Sequence, residues 1–170
     1  MTVPAESRAF IRTAYGGRCG YCGVSETAVG GELEIDHFHP AAAGGSDDDE
    51  NLVYACTACN RFKGEYAPAS GAPETLRLLH PKRDHPEAHI FEMVQGRLSG
   101  LTARGWFHIQ RLHLNRIQLV EMRGLRRMER TVRDELAQAQ EAEDRLRREN
   151  SALRAEIARL REAILKLRGA

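Results

Sequence analysis

Two Cys-x-x-Cys pairs, Cys19 with Cys22 and Cys56 with Cys59, bracket an Asp36-His37 step, and Asn60 follows the last cysteine directly. Four thiolates at this spacing suit one tetrahedral zinc ion (Zn2+). Four sulfur ligands leave no position open for a substrate, so the zinc is structural. Tight pairing of all four cysteines reads as reduced thiols in a cytoplasmic protein; a disulfide framework is the competing reading. Phosphodiester hydrolysis needs a water deprotonated near neutral pH, and histidine is the side chain suited to that task. It also needs a hard divalent cation to neutralise charge on the phosphate and the leaving oxygen. A carboxylate and an amide oxygen, Asp36 and Asn60, make a sparse oxygen site with room for water and phosphate. A zinc frame that fixes the loops around such a set could aim it at a phosphate.

Short elements must position these residues. Glu6 to Ala14 reads as an amphipathic helix with Phe10, Ile11 and Ala14 on one face, ended by Gly16-Gly17. Glu32 to Asp36 alternates polar and apolar, which predicts a strand, and Leu52-Val53-Tyr54 predicts a second. Pro40 to Glu50 is a loop. Thr57 is placed to cap a helix that begins inside the second cysteine pair and carries Asn60, Arg61 and Lys63. Residues 67–73 look like a linker, 74–101 are mixed, and Thr102 caps a helix running to about His113.

The stretch Cys19–Lys63 resembles the HNH endonuclease family, whose fold is a ββα-metal finger. The matching elements are Cys-x-x-Cys, Asp36-His37-x-x-Pro40, Gly44-Gly45, Asn51-Leu52 and Cys56-x-x-Cys59-Asn60-x-x-Lys63. The resemblance implies that His37 is the general base, that Asp36 and Asn60 hold the catalytic metal, and that Asn51 orients His37. Many relatives carry a third histidine where Asn60 stands. The amide favours Mg2+ or Mn2+ over softer metals. His39 is a phosphate contact, a second metal ligand or a surface histidine. Arg61 and Lys63 touch phosphates or stand on a solvated helix face. The run Asp47-Asp48-Asp49-Glu50 reads as a solvated loop. Residues 74–116 are similar to an extension seen in some bacterial members, through His80-Pro81-x-Arg83-Asp84, Gly100-Leu101-Thr102, Gly105 and Leu114-Asn115-Arg116.

From Met122 to Leu167 apolar positions alternate by three and four, a heptad repeat. Its last part places Asn150, Ile157 and Ile164 at a, and Leu146, Leu153, Leu160 and Leu167 at d. Ile at a with Leu at d favours two parallel strands, and one Asn at a fixes register. Pairs from g to e of a partner, Glu149 with Arg154 and Glu156 with Arg161, are attractive, and Glu121 with Arg126 also fits. Glu129 and Glu143 at a weaken the upper part. No proline interrupts residues 116–168, which allows a helix about 80 Å long at 1.5 Å per residue. A helix folded back on its own chain is the competing reading.

The sequence therefore predicts an α+β fold: a ββα-metal finger with structural zinc (1–70), a helical or mixed extension (71–116) and a coiled coil (117–170). The expected function is metal-dependent cleavage of DNA by a homodimer joined through residues 121–168, with a further protein partner possible. The alternative is a zinc-finger adaptor that binds nucleic acid or protein and docks a partner through its coiled coil. Charge is unevenly spread along the 170 residues. Residues 1–70 carry five Arg or Lys against ten Asp or Glu, residues 71–120 seven against four, and residues 121–170 thirteen against ten. The counter-charge for DNA thus lies mainly in the second half, where Arg123, Arg126, Arg127, Arg130 and Arg133 precede the zipper among interleaved acids. No apolar run approaches a membrane span. Met1 to Phe10 holds an acid and no apolar core, unlike a secretory signal.

Overall fold

The computed structural model describes residues 3–168. They fall into two units, one up to Gly124 and one from Leu125 onward.

The first unit opens with α1 (Ala5–Ala14). Ile11 is fully buried, whereas Phe10, one position and about 100° away, is exposed rather than on the packed face. The chain then reverses into the first cysteine pair, followed by the short α2 (Glu26–Val29), which Ser25 caps by accepting from Ala28 N–H. Two antiparallel strands follow, β1 (Glu34–His37) and β2 (Leu52–Ala55), in a register that sets Asp36 opposite Val53 and His37 opposite Leu52. Every β2 residue is buried. α3 (Thr57–Lys63) packs against β1 and completes the ββα arrangement. Cys56, not Thr57, stands at the N-cap; the Thr57 hydroxyl instead donates to Glu34 across the fold.

The extension contains a hairpin of β3 (Ile90–Glu92) and β4 (Leu98–Gly100), then α4 (Ala103–Arg111). Thr102 caps α4 as expected, accepting from Gly105 N–H. The finger and extension share one core: Leu78, Ile109, Leu112, Leu114 and Leu119 join Leu52, Val53 and Tyr54. Sharing a core raises the fraction of apolar surface a small finger can bury. The motifs noted in the extension acquire structural roles here. Asn115 pairs with both backbone groups of Leu98, accepting at 2.7 Å and donating at 2.8 Å. Asp84 accepts from His80 N–H and from Arg104. His80 and Arg83 both reach the Glu50 carbonyl, so the extension braces the loop that precedes β2.

α5 (Ile117–Arg168) begins in the first unit, where Leu119 and Arg123 are buried. In the second unit it is a single helix. Its heptad residues Val132, Leu136, Leu146, Leu153 and Leu160 are each more than half exposed. Glu129–Arg133, Glu143–Arg147 and Glu162–Lys166 pair at i,i+4 along its surface. Among the described residues no helix is long and apolar enough to cross a membrane.

Candidate active site and zinc centre

The four cysteine sulfurs lie within 4.8 Å of one another, and none is in a disulfide. Cys22 and Cys56 Sγ are 3.7 Å apart. A zinc–sulfur bond of about 2.3 Å separates the corners of a tetrahedron by about 3.8 Å, so the donor set fits zinc. Each pair is held by backbone. Cys19 N–H donates to Val24 and Cys19 carbonyl accepts from Gly23 N–H, both at 2.8 Å; Cys56 carbonyl accepts the first turn of α3 from Asn60. The guanidinium of Arg116 closes the site from the extension. Its Nη2 lies 3.5 Å from Cys59 Sγ, 3.8 Å from Cys56 and 3.9 Å from Cys22. It also covers the Phe62 ring at 5.7 Å.

Glu34 and Asp36 share one face of β1, two residues apart, and α3 meets them with Asn60 and Lys63, three apart. Asp36 is 6 % exposed and Lys63 1 %. Lys63 Nζ donates to Asp36 Oδ1 at 2.9 Å and to the His37 carbonyl at 2.6 Å. Tyr21 donates to Asp36 Oδ2 at 2.6 Å. Burial raises the Asp36 pKa above the usual carboxylate value, against the opposing pull of Lys63 and Tyr21. Tyr21 is raised well above its ordinary value by burial and by the facing carboxylate. Asn60 Nδ2 donates to Glu34 Oε2 at 2.6 Å.

His37 takes the other face and is 19 % exposed, with Nε2 2.6 Å from Asp47 Oδ1. The loop that brings Asp47 there is clamped by Asn51. Its side chain accepts from His39 N–H at 2.8 Å and donates to the carbonyls of His39 (3.0 Å) and Ser46 (2.8 Å). A Cβ on Gly45 would fall 1.8 Å from the His39 carbonyl oxygen, so only glycine lets the loop close this tightly. His39 is exposed and its Nε2 meets the Ala43 carbonyl at 2.9 Å. Arg61 is exposed on α3.

Residues 19–65 match the HNH endonuclease family model. The chain is also similar to the Septu protein PtuA of Bacillus mycoides (strain KBAB4), 27 % identical over 143 residues. That alignment covers 67 % of this chain but 20 % of the relative, so the chain spans about a fifth of the relative's length.

Within the HNH segment the structure departs from expectation at Lys63 and Asp47. Lys63 is not a surface cation: its ammonium is buried and satisfied by Asp36, His37 and Gly64, which removes it from contact with a phosphate. Asn51 bonds beside His37 rather than to it, its carbonyl accepting from Phe38 N–H and its side chain from His39 N–H. Asp47 does not stand in a merely solvated run, because it faces the His37 ring. For a catalytic divalent ion, Asp36 and Asn60 supply hard oxygen donors of the right type. Both Asp36 oxygens are engaged, however, and the Lys63 ammonium stands where a cation would neutralise them. Glu34, Tyr21, Asp47 and Arg116 were missed as site residues. Glu34 carried a signal, its i,i+2 spacing from Asp36; Arg116 carried one in its basic charge, without a register to place it.

Proposed function

We propose that this chain is an HNH endonuclease that hydrolyses DNA phosphodiester bonds at a centre built on His37. The observation that carries the reading is the His37–Asp47 contact inside the segment that matches the HNH model. Asp47 accepts from Nε2–H and so fixes the tautomer, leaving Nδ1 as the nitrogen that takes a proton from the attacking water. As the imidazolium forms, the Asp47 carboxylate stabilises it. Lys63 holds the Asp36 side chain and the His37 carbonyl together and so fixes the end of β1. Asn51 holds the loop that presents Asp47. Arg61, and His39 at the loop, face solvent where a phosphate backbone would lie. A magnesium or manganese ion held by Asp36 and Asn60 would neutralise charge on the phosphate and the leaving oxygen, and it requires Asp36 Oδ1 to exchange the Lys63 ammonium for the ion.

Two copies pair through a parallel coiled coil over residues 121–168. The exposed a/d stripe supports this, since a long helix with an unburied apolar seam is marginal alone. The g-to-e pairs Glu149 with Arg154 and Glu156 with Arg161 favour a second copy as the partner. Two centres could then cut both strands or nick two sites. The test is cleavage of supercoiled plasmid with magnesium or manganese, comparing wild type with His37→Ala and Leu153→Pro. Cleavage that is lost in His37→Ala supports the mechanism, and wild-type rates in that variant sink it. Linear product unchanged in Leu153→Pro would sink cutting by the dimer. The closed Asp36–Lys63 pair favours one second reading, an adaptor that binds without cutting. Folded, zinc-loaded wild-type protein that binds DNA but leaves plasmid intact would support it.

A further inference from the structure

A cleft of about 300 Å³ lies between the HNH segment and the extension. One wall is Phe38 and His39, the two residues that follow His37, with Tyr66 beyond them; the other comes from the extension. Its floor is rigid. Arg104, 15 % exposed, is held by Asp84 at 2.7 Å, by Glu74 at 3.1 Å and by the Leu78 carbonyl at 2.7 Å. His80 packs edge-on against Phe38, with ring centroids 4.5 Å apart. Its rim is loose. Arg77 and Arg83 are 52 % and 58 % exposed, and their acidic partners, Glu74 and Glu50, stand at 3.3 and 3.5 Å. Exposed pairs of this kind are weak, so the Arg77 guanidinium can turn to another anion, and Arg83, whose Nη2 donates to the Glu50 carbonyl at 2.9 Å, can meet one with its other N–H groups. The volume is at the lower bound of small-ligand sites and fits one residue of a strand rather than a duplex.

We propose that this cleft takes one nucleotide of the DNA strand beside the cleaved bond, with Arg77 and Arg83 on its phosphates and the Phe38, His80 and Tyr66 walls against its sugar and base. The assignment rests on the endonuclease reading for its substrate and gives the extension a role in that reading. Arginine suits the position because its planar fork meets two phosphate oxygens at once. Aromatic walls accept any base, so the site would hold a strand without reading its sequence. Glu74 opposes binding, because it draws Arg77 away and adds a negative charge to the rim.

The test is binding of a fluorescein-labelled random-sequence single-stranded oligonucleotide by the zinc-loaded His37→Ala protein over a salt series, read by anisotropy. In that background, Arg77→Ala with Arg83→Ala should weaken binding roughly tenfold and flatten the log–log salt slope by about 1.4, about 0.7 per lost phosphate contact on a single strand. Glu74→Gln should tighten binding. Unchanged affinity and slope in the double variant, with normal zinc content and circular dichroism, would overturn the proposal. If the double variant misfolds, Arg77→Ala alone decides: weaker binding with a salt slope flattened by about half as much supports the cleft, and unchanged affinity and slope refute it. Plasmid left intact by wild type, with the binding pattern as expected, retires the nuclease reading and keeps the cleft. Plasmid cut by wild type, with all variants binding alike, does the reverse.

Discussion

Replacing Arg116 with methionine should loosen the zinc without touching a ligand. Four thiolates and one Zn2+ carry a formal charge of −2, and Arg116 is the cation that meets three of those sulfurs at 3.5–3.9 Å. A hydrogen bond to a charged partner contributes about 1.5–3 kcal/mol. Arg116 is only half-buried, so solvent screening favours the lower end of that range. At about 1.4 kcal/mol per factor of ten, the expected loss of zinc affinity is about tenfold, near the low edge of the 10- to 100-fold typical of groups that support metal ligands. Methionine keeps an unbranched stem over Phe62, which separates the charge from the packing. Arg116→Lys restores the charge and should recover part of the loss. The assay is competition with a chromogenic zinc chelator, followed to equilibrium at fixed pH. Affinity in Arg116→Met within a factor of two of wild type, with the fold intact, would refute the reasoning: the guanidinium would then be an incidental neighbour of the sulfurs.

Three other predictions rest on groups the fold buries or orients. Lys63→Met leaves the Asp36 carboxylate buried without its cation and should cost about 3–5 kcal/mol in chemical denaturation; adding Asp36→Asn should recover much of that. Asp47→Asn should slow plasmid cleavage by up to about 10²- to 10⁴-fold, the whole contribution of a positioned general base; full activity in that variant would remove Asp47 from the mechanism. His108 is buried, accepts from Leu79 N–H at its Nδ1, and burial pushes its pKa down to about 4. Only the unfolded chain binds that proton between pH 6.5 and about 4. Stability is therefore full above pH 6.5 and falls as the pH drops through this window, by about 3 kcal/mol at most. Thermal melts across that range should show the loss, and His108→Asn, which keeps an acceptor for Leu79, should show less of it.

The features readable in the sequence were those whose signal is spacing. The Cys-x-x-Cys pairs, the alternation at β1, the Thr102 cap and the heptads from Met122 each declare themselves within a few residues. Contacts that depend on register across the fold did not. Asp47 meets His37 only because Asn51 and Gly45 close a loop of defined shape. Lys63 is buried because α3 presents Asn60 and Lys63 on the face that meets β1. Thr57 sits one place past the N-cap because Cys56 already occupies it. The β3–β4 hairpin escaped notice because three-residue strands are too short for a period of two to register.

Arg116 also sets an order of events during synthesis. It lies 57 residues beyond Cys59 in the chain. At 5–20 residues per second the ribosome needs about 3–11 s to cover that distance. All four sulfurs are therefore made, and can capture a metal, well before their counter-charge exists. A nascent chain at that stage holds its zinc as an uncompensated dianion, with the core residues from Leu78 to Leu119 still missing. Metal captured at that stage would be held about tenfold more weakly, for want of Arg116, until the extension docks.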